Sequence, residues 1–390
     1  MTVGCKGVGK RNGGRLFFKV GGAVACVLCM LLSTSAVTAS GGANWTMQRV
    51  AQNPTIVSGF SSALDNNGNP GIAYASTAGI MFTYPESGTW KCETVDSGVH
   101  GGGIDLTWDG NTWIMAYGDS SRFENHGLLK FAKRDPTTGA WSIQTVEPDN
   151  IFMRTKGIAA YNANGKYLIG ISYRNNNGLR YAEYNGNTWT KTTIEKNAVA
   201  AYNAVDFDST GQPAIAYGNQ DKAGNHLKYA KRSSGTWSLS TIAAGSDKYG
   251  LGVDLEISSN DCPYVLDRTG LYYNVGNGWV HEQVASSLYL LSLALDETSG
   301  TVIPYVSYYG QENEYVKVST KVNGAWVTET LDGIIESHLG LGTCLQFFCK
   351  KDANNNIVTK KLDLSYQHLH LGTTAVFFAE RDLLNPSTWG

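Results

Sequence analysis

The segment Trp141-Ser142-Ile143-Gln144-Thr145-Val146 decides the fold, because versions of it recur along the whole chain. Trp45-Thr46-Met47-Gln48-Arg49-Val50 and Trp90-Lys91-Cys92-Glu93-Thr94-Val95 precede it. Four more follow, headed by Trp189, Trp237, Trp279 and Trp326 and ending in Ile194, Ile242, Val284 and Leu331. Apolar and polar residues roughly alternate and β-branched residues are frequent, the pattern of a short strand packed on one face. From Trp90 onward a glycine lies one to three residues ahead of each tryptophan, as a tight hairpin turn requires. The intervals of 45, 51, 48, 48, 42 and 47 residues are those of a β-propeller in which each repeat is one blade.

A second marker runs in phase with the first. Tyr74, Tyr117, Tyr173, Tyr217, Tyr308 and Tyr366 each end an apolar run, and Leu266 takes the place in the fifth repeat. Ahead of them lie a hydrophobic strand and a turn such as Asp65-Asn66-Asn67-Gly68-Asn69-Pro70 or Asp208-Ser209-Thr210-Gly211-Gln212-Pro213. After them comes a third strand, for example Leu128 to Arg134 or His226 to Arg232. One blade therefore reads as strand a, strand b ending in Tyr, strand c, and strand d headed by Trp.

Counting Trp389, eight tryptophans accompany seven markers of the second kind, and the difference predicts how the ring closes. Trp45 has no strand b before it, while the last repeat supplies a, b and c (Val376 to Arg381) and reaches Trp389-Gly390 without length for d. Residues 45 to 50 are thus expected to complete the last blade. The expectation is an all-β, seven-bladed β-propeller of four-stranded antiparallel blades, closed by its N-terminal strand, which leaves no exposed sheet edge.

Residues 1–39 read differently. Lys6, Lys10, Arg11, Arg15 and Lys19 precede an uncharged, mostly apolar run from Val20 to Leu32, and Val37-Thr38-Ala39 offers small residues for cleavage. This is the pattern of a secretory signal peptide, with residues 40–390 forming one propeller domain that is exported to the extracellular space or periplasm without membrane insertion. Removal of the five basic residues leaves 26 Lys and Arg against 33 Asp and Glu, a net charge of −7. That balance disfavours nucleic acid as a partner. The remaining cysteines, Cys92, Cys262, Cys344 and Cys349, lack the paired spacing of a zinc ribbon.

In such a ring the b-to-c and d-to-a connections converge on one end, and function is expected there. The repeat places His100, Asp119, Arg122, Glu124, His126, Arg154, Lys156, Arg174, Asp221, Tyr249, Asp267, Arg268, Tyr289, Glu312, His338, His368 and His370 on that end. Imidazoles titrate near neutrality and serve as acid, base or metal ligand. His338, His368 and His370 of blade 7 are candidates for a structural divalent metal, zinc or calcium, since a His-x-His pair puts both rings on one side of a strand. No cofactor is required. Lys133, Arg134, Lys231 and Arg232, at the ends of c strands, read as solvated charges.

The Asp-x-x-Gly-x-Pro turns and Gly-x-Trp hairpins are similar to those of secreted propellers grouped with the sialidase-type (Asp-box, or BNR-type) repeats. Two histidines in blade 2, His100 and His126, followed by Arg174 in Ser172-Tyr173-Arg174-Asn175, resemble the propeller-type ulvan lyases over blades 2 and 3. The resemblance implies cleavage of uronate-containing polysaccharides by β-elimination, with His100, His126 and Arg174 catalytic. Arg122, Arg154, Lys156, Asp119, Tyr249 and Arg268 are then substrate-binding candidates. The family's tyrosine is missing from the connection into strand a of blade 3, where Phe152-Met153-Arg154-Thr155-Lys156-Gly157 stands. Three other readings stay open at this point. One is a sialidase-like hydrolase, for which Arg122, Arg154, Arg174 and Arg268 offer guanidinium groups. Another is a two-carboxylate glycosidase drawing on Asp119, Glu124, Asp221, Asp267 or Glu312. The third is a monomeric propeller that binds a glycan or surface ligand without catalysis.

Overall fold

The computed structural model describes residues 44–384 apart from 53–55, 99–100, 120–126, 153–156, 201, 247, 311–314, 333–341 and 371–372. The described residues form twenty-eight strands. β1 (Thr46–Gln52) stands first, and blade 1 follows as β2 (Ile56–Leu64), β3 (Pro70–Ser76), β4 (Gly79–Glu86) and β5 (Thr89–Ser97). Blade 2 is β6 (Gly101–Trp108), β7 (Trp113–Asp119), β8 (Gly127–Arg134) and β9 (Trp141–Phe152). Blade 3 is β10 (Ile158–Ala163), β11 (Lys166–Asn175), β12 (Gly178–Tyr184) and β13 (Trp189–Lys196). Blade 4 is β14 (Asn203–Phe207), β15 (Pro213–Asp221), β16 (Gly224–Ser233) and β17 (Thr236–Ser246). Blade 5 is β18 (Asp254–Ile257), β19 (Pro263–Asp267), β20 (Gly270–Asn274) and β21 (Trp279–Glu282). Blade 6 is β22 (Leu288–Asp296), β23 (Ile303–Gly310), β24 (Val316–Val322) and β25 (Ala325–Asp332). Blade 7 joins β26 (Thr343–Lys351), β27 (Ile357–His370) and β28 (Thr373–Asp382) to β1.

The fold is thus the seven-bladed propeller of four-stranded antiparallel blades that the repeat predicts. The closing strand is also where the marker count placed it: β1 pairs with β28 from Thr46 against Glu380 to Gln52 against Ala375. Residues 1–39, the predicted signal peptide, lie outside the described residues.

Each tryptophan of strand d is a fastener between blades. Its indole meets the c-strand aromatic of the preceding blade edge-on, as in Phe82–Trp141 (5.3 Å), Phe131–Trp189 (5.2 Å), Tyr181–Trp237 (5.3 Å) and Tyr229–Trp279 (5.3 Å). In five of the seven the Nε1–H donates to the residue three positions after the tryptophan of the preceding blade. Trp90 donates to Gln48 (3.0 Å), Trp141 to Glu93 (2.7 Å), Trp189 to Gln144 (3.1 Å), Trp326 to Glu282 (3.2 Å) and Trp45 to Glu329 (3.2 Å). Edge-to-face ring contacts add about 0.5–1.5 kcal/mol beyond the area they bury.

The c-strand cations complete this belt, which corrects the reading of them as solvated charges. Arg134 bonds Glu93 at 2.8 Å, Arg232 bonds Glu183 at 2.7 Å, and Lys321 bonds Glu282 at 2.6 Å. Lys133 pairs with the buried Asp109 of its own blade at 2.9 Å and also donates to the Tyr167 hydroxyl of the next. Lys231 pairs with Asp208 at 2.5 Å. A strand end at the rim looks solvated in a linear pattern because the carboxylate that meets it comes from a different stretch of chain.

The tyrosines of strand b form a second belt. Tyr117 donates to Asp96 (2.7 Å), Tyr173 to Glu147 (2.9 Å) and Tyr217 to Glu195 (2.6 Å), each acceptor lying on the preceding blade. Around the axis the a strands interlock through buried polar groups. Asp105 accepts from Ser61 Oγ of blade 1 and from the Ile158 amide of blade 3, Asp206 from the Ile257 amide, and Asp254 from the Leu293 amide. They surround a central cavity of about 230 Å³. The hydrophobic clusters straddle neighbouring blades, as with Phe82 of blade 1 against Met115 and Ala132 of blade 2. A blade therefore has no core of its own, and stability is shared through the interfaces.

Candidate functional site

Strand direction fixes which end of the ring carries the candidates. Every b strand ends, and every a and c strand begins, on the same end as Asp119, Arg174, Asp221 and Asp267. His100, His126, Arg122, Glu124, Arg154, Lys156, Glu312 and His338 lie outside the described residues. The backbone of His368 and His370 closes β27, opposite Ala375 and Thr373. Among the described residues no group of three His, Cys, Asp or Glu side chains is placed to hold a metal.

Blades 2 and 3 are joined as no other described pair is. β9 continues past its own blade, so that Ile151 and Phe152 pair with Asn175 and Arg174 of β11, and the two blades become one continuous sheet. Ile151 is at the same time opposite Gly127, the residue that follows His126 in the chain. Gly127 and Asn175 are therefore two strand spacings apart, about 10 Å. Arg174 itself is half-buried, and that burial lowers the pKa of its guanidinium. Asp119 lies beside Gly127 but is buried, and it pairs with Lys130 at 2.7 Å while Lys130 also holds Asp96 at 2.9 Å. Its carboxylate is committed to the second belt. Asp221 is bonded to His226 at 2.9 Å, and this contact holds its carboxyl below the usual range. His226 lies in the c strand β16, as the repeat predicts.

Blades 5 and 6 assemble a second group. Asp267 is completely buried, and its carboxylate accepts the Gly250 amide (2.9 Å), the Thr269 amide (2.8 Å) and the Thr269 hydroxyl (2.6 Å). Burial raises its pKa above the usual carboxylate value despite those bonds. Gly250 is there because nothing else fits: its φ is +67°, and a Cβ would lie 2.3 Å from Gly218 Cα and 2.7 Å from the His226 carbonyl. Arg268, between two anchored residues, is pinned further by its own backbone, which donates to Leu251 O (3.2 Å) and accepts from Leu288 N (3.3 Å). Its guanidinium lies 3.5 Å above the ring of Tyr289. Sequence reasoning put Tyr249, Asp267, Arg268 and Tyr289 on this end; the structure brings Asp267, Arg268 and Tyr289 together at the blade 5–6 boundary, while Tyr249 packs on the core shared by blades 4 and 5.

A bulge in β22 shapes the rest of this group. The register breaks between Tyr289 and Ser292, Leu290 adopts φ +50° and is 38% exposed, and its carbonyl accepts the Thr343 hydroxyl of blade 7 at 2.6 Å. A bulky residue in the left-handed region is costly and persists only where its surroundings hold it. No feature of the sequence announces this bulge.

No protein-family model matches the chain, and no curated protein sequence matches it. Among solved structures, a streptogramin B lyase aligns with a TM-score of 0.55 at 10% identity, over 87% of this chain and 99% of its own. An α-L-arabinofuranosidase from Fusarium graminearum gives 0.48 at 9%, over 84% and 94%. Polysaccharide lyase Uly1 gives 0.41 at 8%, over 74% and 92%. At such identities the likeness is one of fold alone.

Proposed function

We propose that this chain is an exported propeller that acts on uronate-containing glycans by β-elimination, with the chemistry at the junction of blades 2 and 3. The observation that carries the reading is the continuation of β9 into β11, which sets Arg174 about two strand spacings from the residue after His126. That separation leaves room for a sugar unit between the two strands, and it is found at the same two blades that carry the lyase-like residues.

The chemistry follows from the residue types. Arg174 pairs with the uronate carboxylate through two parallel N–H bonds and neutralises it, so that the carbon bearing it can lose its proton. One of His100 and His126 takes that proton, the electron pair forms the new carbon–carbon double bond, and the bond to the leaving glycosidic oxygen breaks. The other histidine, protonated, returns a proton to that oxygen. Arg122, Arg154 and Lys156 supply positive charge along the path of an acidic polymer.

The test is cleavage of uronate polymers followed by the ultraviolet absorbance of the unsaturated product. Arg174→Ala and His126→Ala should each abolish the signal. Unchanged cleavage in both variants would overturn the proposal, and wild-type protein that binds acidic glycans without cleaving any would leave the binding reading in its place.

A further inference from the structure

The cations of the inter-blade belts end on carboxylates: Lys130 on Asp96 and Asp119, Arg134 on Glu93, Lys228 on Glu195, Arg232 on Glu183 and Lys321 on Glu282. Arg268 does not follow them. It ends on the face of Tyr289, and among the described residues no carboxylate pairs with it. A guanidinium stacked on an aromatic ring keeps its N–H groups directed outward in its own plane, where they can receive a planar oxyanion on two parallel bonds.

The surroundings are built to keep it in that pose. The buried carboxylate of Asp267 anchors the residues on both sides, Gly250 from the d-to-a connection and Thr269 from the b-to-c turn. The backbone of Arg268 is bonded to the entries of two successive a strands, at Leu251 and Leu288. Holding a long side chain still removes the ordering cost that binding would otherwise incur. The apolar groups at hand are the half-buried ring of Tyr289 itself and, next to it in the chain, the exposed side chain of Leu290. A fixed cation next to partly exposed apolar groups matches a carboxylate carried on a sugar ring, whose C–H faces need a surface to cover.

We infer that Arg268, stacked on Tyr289 beside the bulge at Leu290, is a second binding site, taking the carboxylate of a single uronate residue at the boundary of blades 5 and 6. It lies two blades away from Arg174 on the same end of the ring, so an acidic chain engaged at one site can be held at the other. The inference extends the glycan reading but does not depend on turnover. Asp267 is a positioning residue here, acting through Arg268 and not on the ligand.

The experiment is calorimetric titration of the purified protein with a short glucuronate-containing oligosaccharide. It is run in the Arg174→Ala background, to prevent turnover, and in the otherwise unaltered chain. Arg268→Ala should weaken binding by about tenfold or more, the scale set by losing a bidentate charge-assisted pair. Arg268→Lys should recover little, because an ammonium lacks the planar fork. Arg268→Gln keeps a planar end without the charge and carries the same expectation should the alanine variant not fold, with thermal melting as the check on folding. A carboxyl-reduced oligosaccharide should not bind. Equal binding by the Arg268 variants, absence of binding in the parent chain, or equal binding of a sulfated oligosaccharide without carboxylates would each overturn the assignment. Persistent cleavage by Arg174→Ala would instead defeat the lyase proposal and leave this site standing.

Discussion

Trp45 donates its indole N–H to Glu329 at 3.2 Å, although 284 residues separate them. The same carboxylate is gripped by Arg381, the largest fully buried side chain among the described residues, from the c strand that β1 completes. The closing seam therefore repeats the fastener used at Glu93 and Glu282, where one carboxylate receives both the tryptophan of the next blade and a c-strand cation. What differs is burial, which makes the seam the least forgiving of the three.

Glu329→Ala should accordingly destabilise the protein by about 3–5 kcal/mol, because it strands the buried charge of Arg381. Gln48→Ala, which removes only the exposed acceptor of Trp90, should cost about 1 kcal/mol. Chemical denaturation of the two variants measures the difference, and equal costs would contradict the special burial of the seam.

The junction of blades 2 and 3 can be loosened without touching a charged group. Phe152 pairs with Arg174 through its backbone, so Phe152→Pro removes an N–H at that contact for a stability cost of about 1 kcal/mol. Cleavage of a uronate polymer should fall far more steeply than stability, through kcat more than KM. Loss of activity in proportion to unfolding would show that the crossing of β9 into β11 is only structural.

Gly250 has a comparable role at blades 5 and 6. Gly250→Ala places a methyl group against Gly218 and the His226 carbonyl in a left-handed conformation, at a strain cost of about 1–3 kcal/mol. It also displaces the amide that anchors Asp267. Binding of the glucuronate oligosaccharide should weaken in this variant even under conditions where circular dichroism reports an intact fold.

Two carboxyl groups make stability depend on pH in the direction opposite to an ordinary ion pair. Burial raises Asp363 to about 7 and Asp206 to about 6, against about 3.9 in an unfolded chain. A raised acid favours the fold while it is protonated, so their contribution is complete below pH about 4 and is lost as the pH climbs through about 6 to 7. Urea denaturation from pH about 4 to 7 should show falling stability, and Asp363→Asn should flatten the slope over that window. Asp208, lowered to about 2 by its contact with Lys231, acts only in acid and does not confound the test.

The strand plan was legible because tryptophan and tyrosine mark the same two positions in successive blades. The acceptors of the tryptophans were legible too, since Gln48, Glu93, Gln144, Glu282 and Glu329 all stand three residues after a tryptophan, but their role needs the partner blade in view. The pairing of Arg134 with Glu93 joins residues 41 positions apart, and no local pattern encodes it. For the site, periodicity sorted residues to one end of the ring and went no further. The stacking of Arg268 on Tyr289 lies beside a bulge in β22, and the approach of Gly127 to β11 depends on β9 running past its blade. The length of β9, twelve residues against eight for β13, was the one trace of that in the chain, visible as the long stretch between Trp141 and Gly157.

Blade 7 takes its outer strand from one terminus of the ring and its other three from the opposite terminus. A ribosome therefore releases six blades before it releases the partner that β1 is waiting for, and the first strand made is the last to be placed. Contacts as distant as Thr46 with Glu380 are slow to form. The assembly in this way verifies its own completeness, since a chain cut short at its end cannot shut the ring and exposes sheet edges that invite degradation or aggregation.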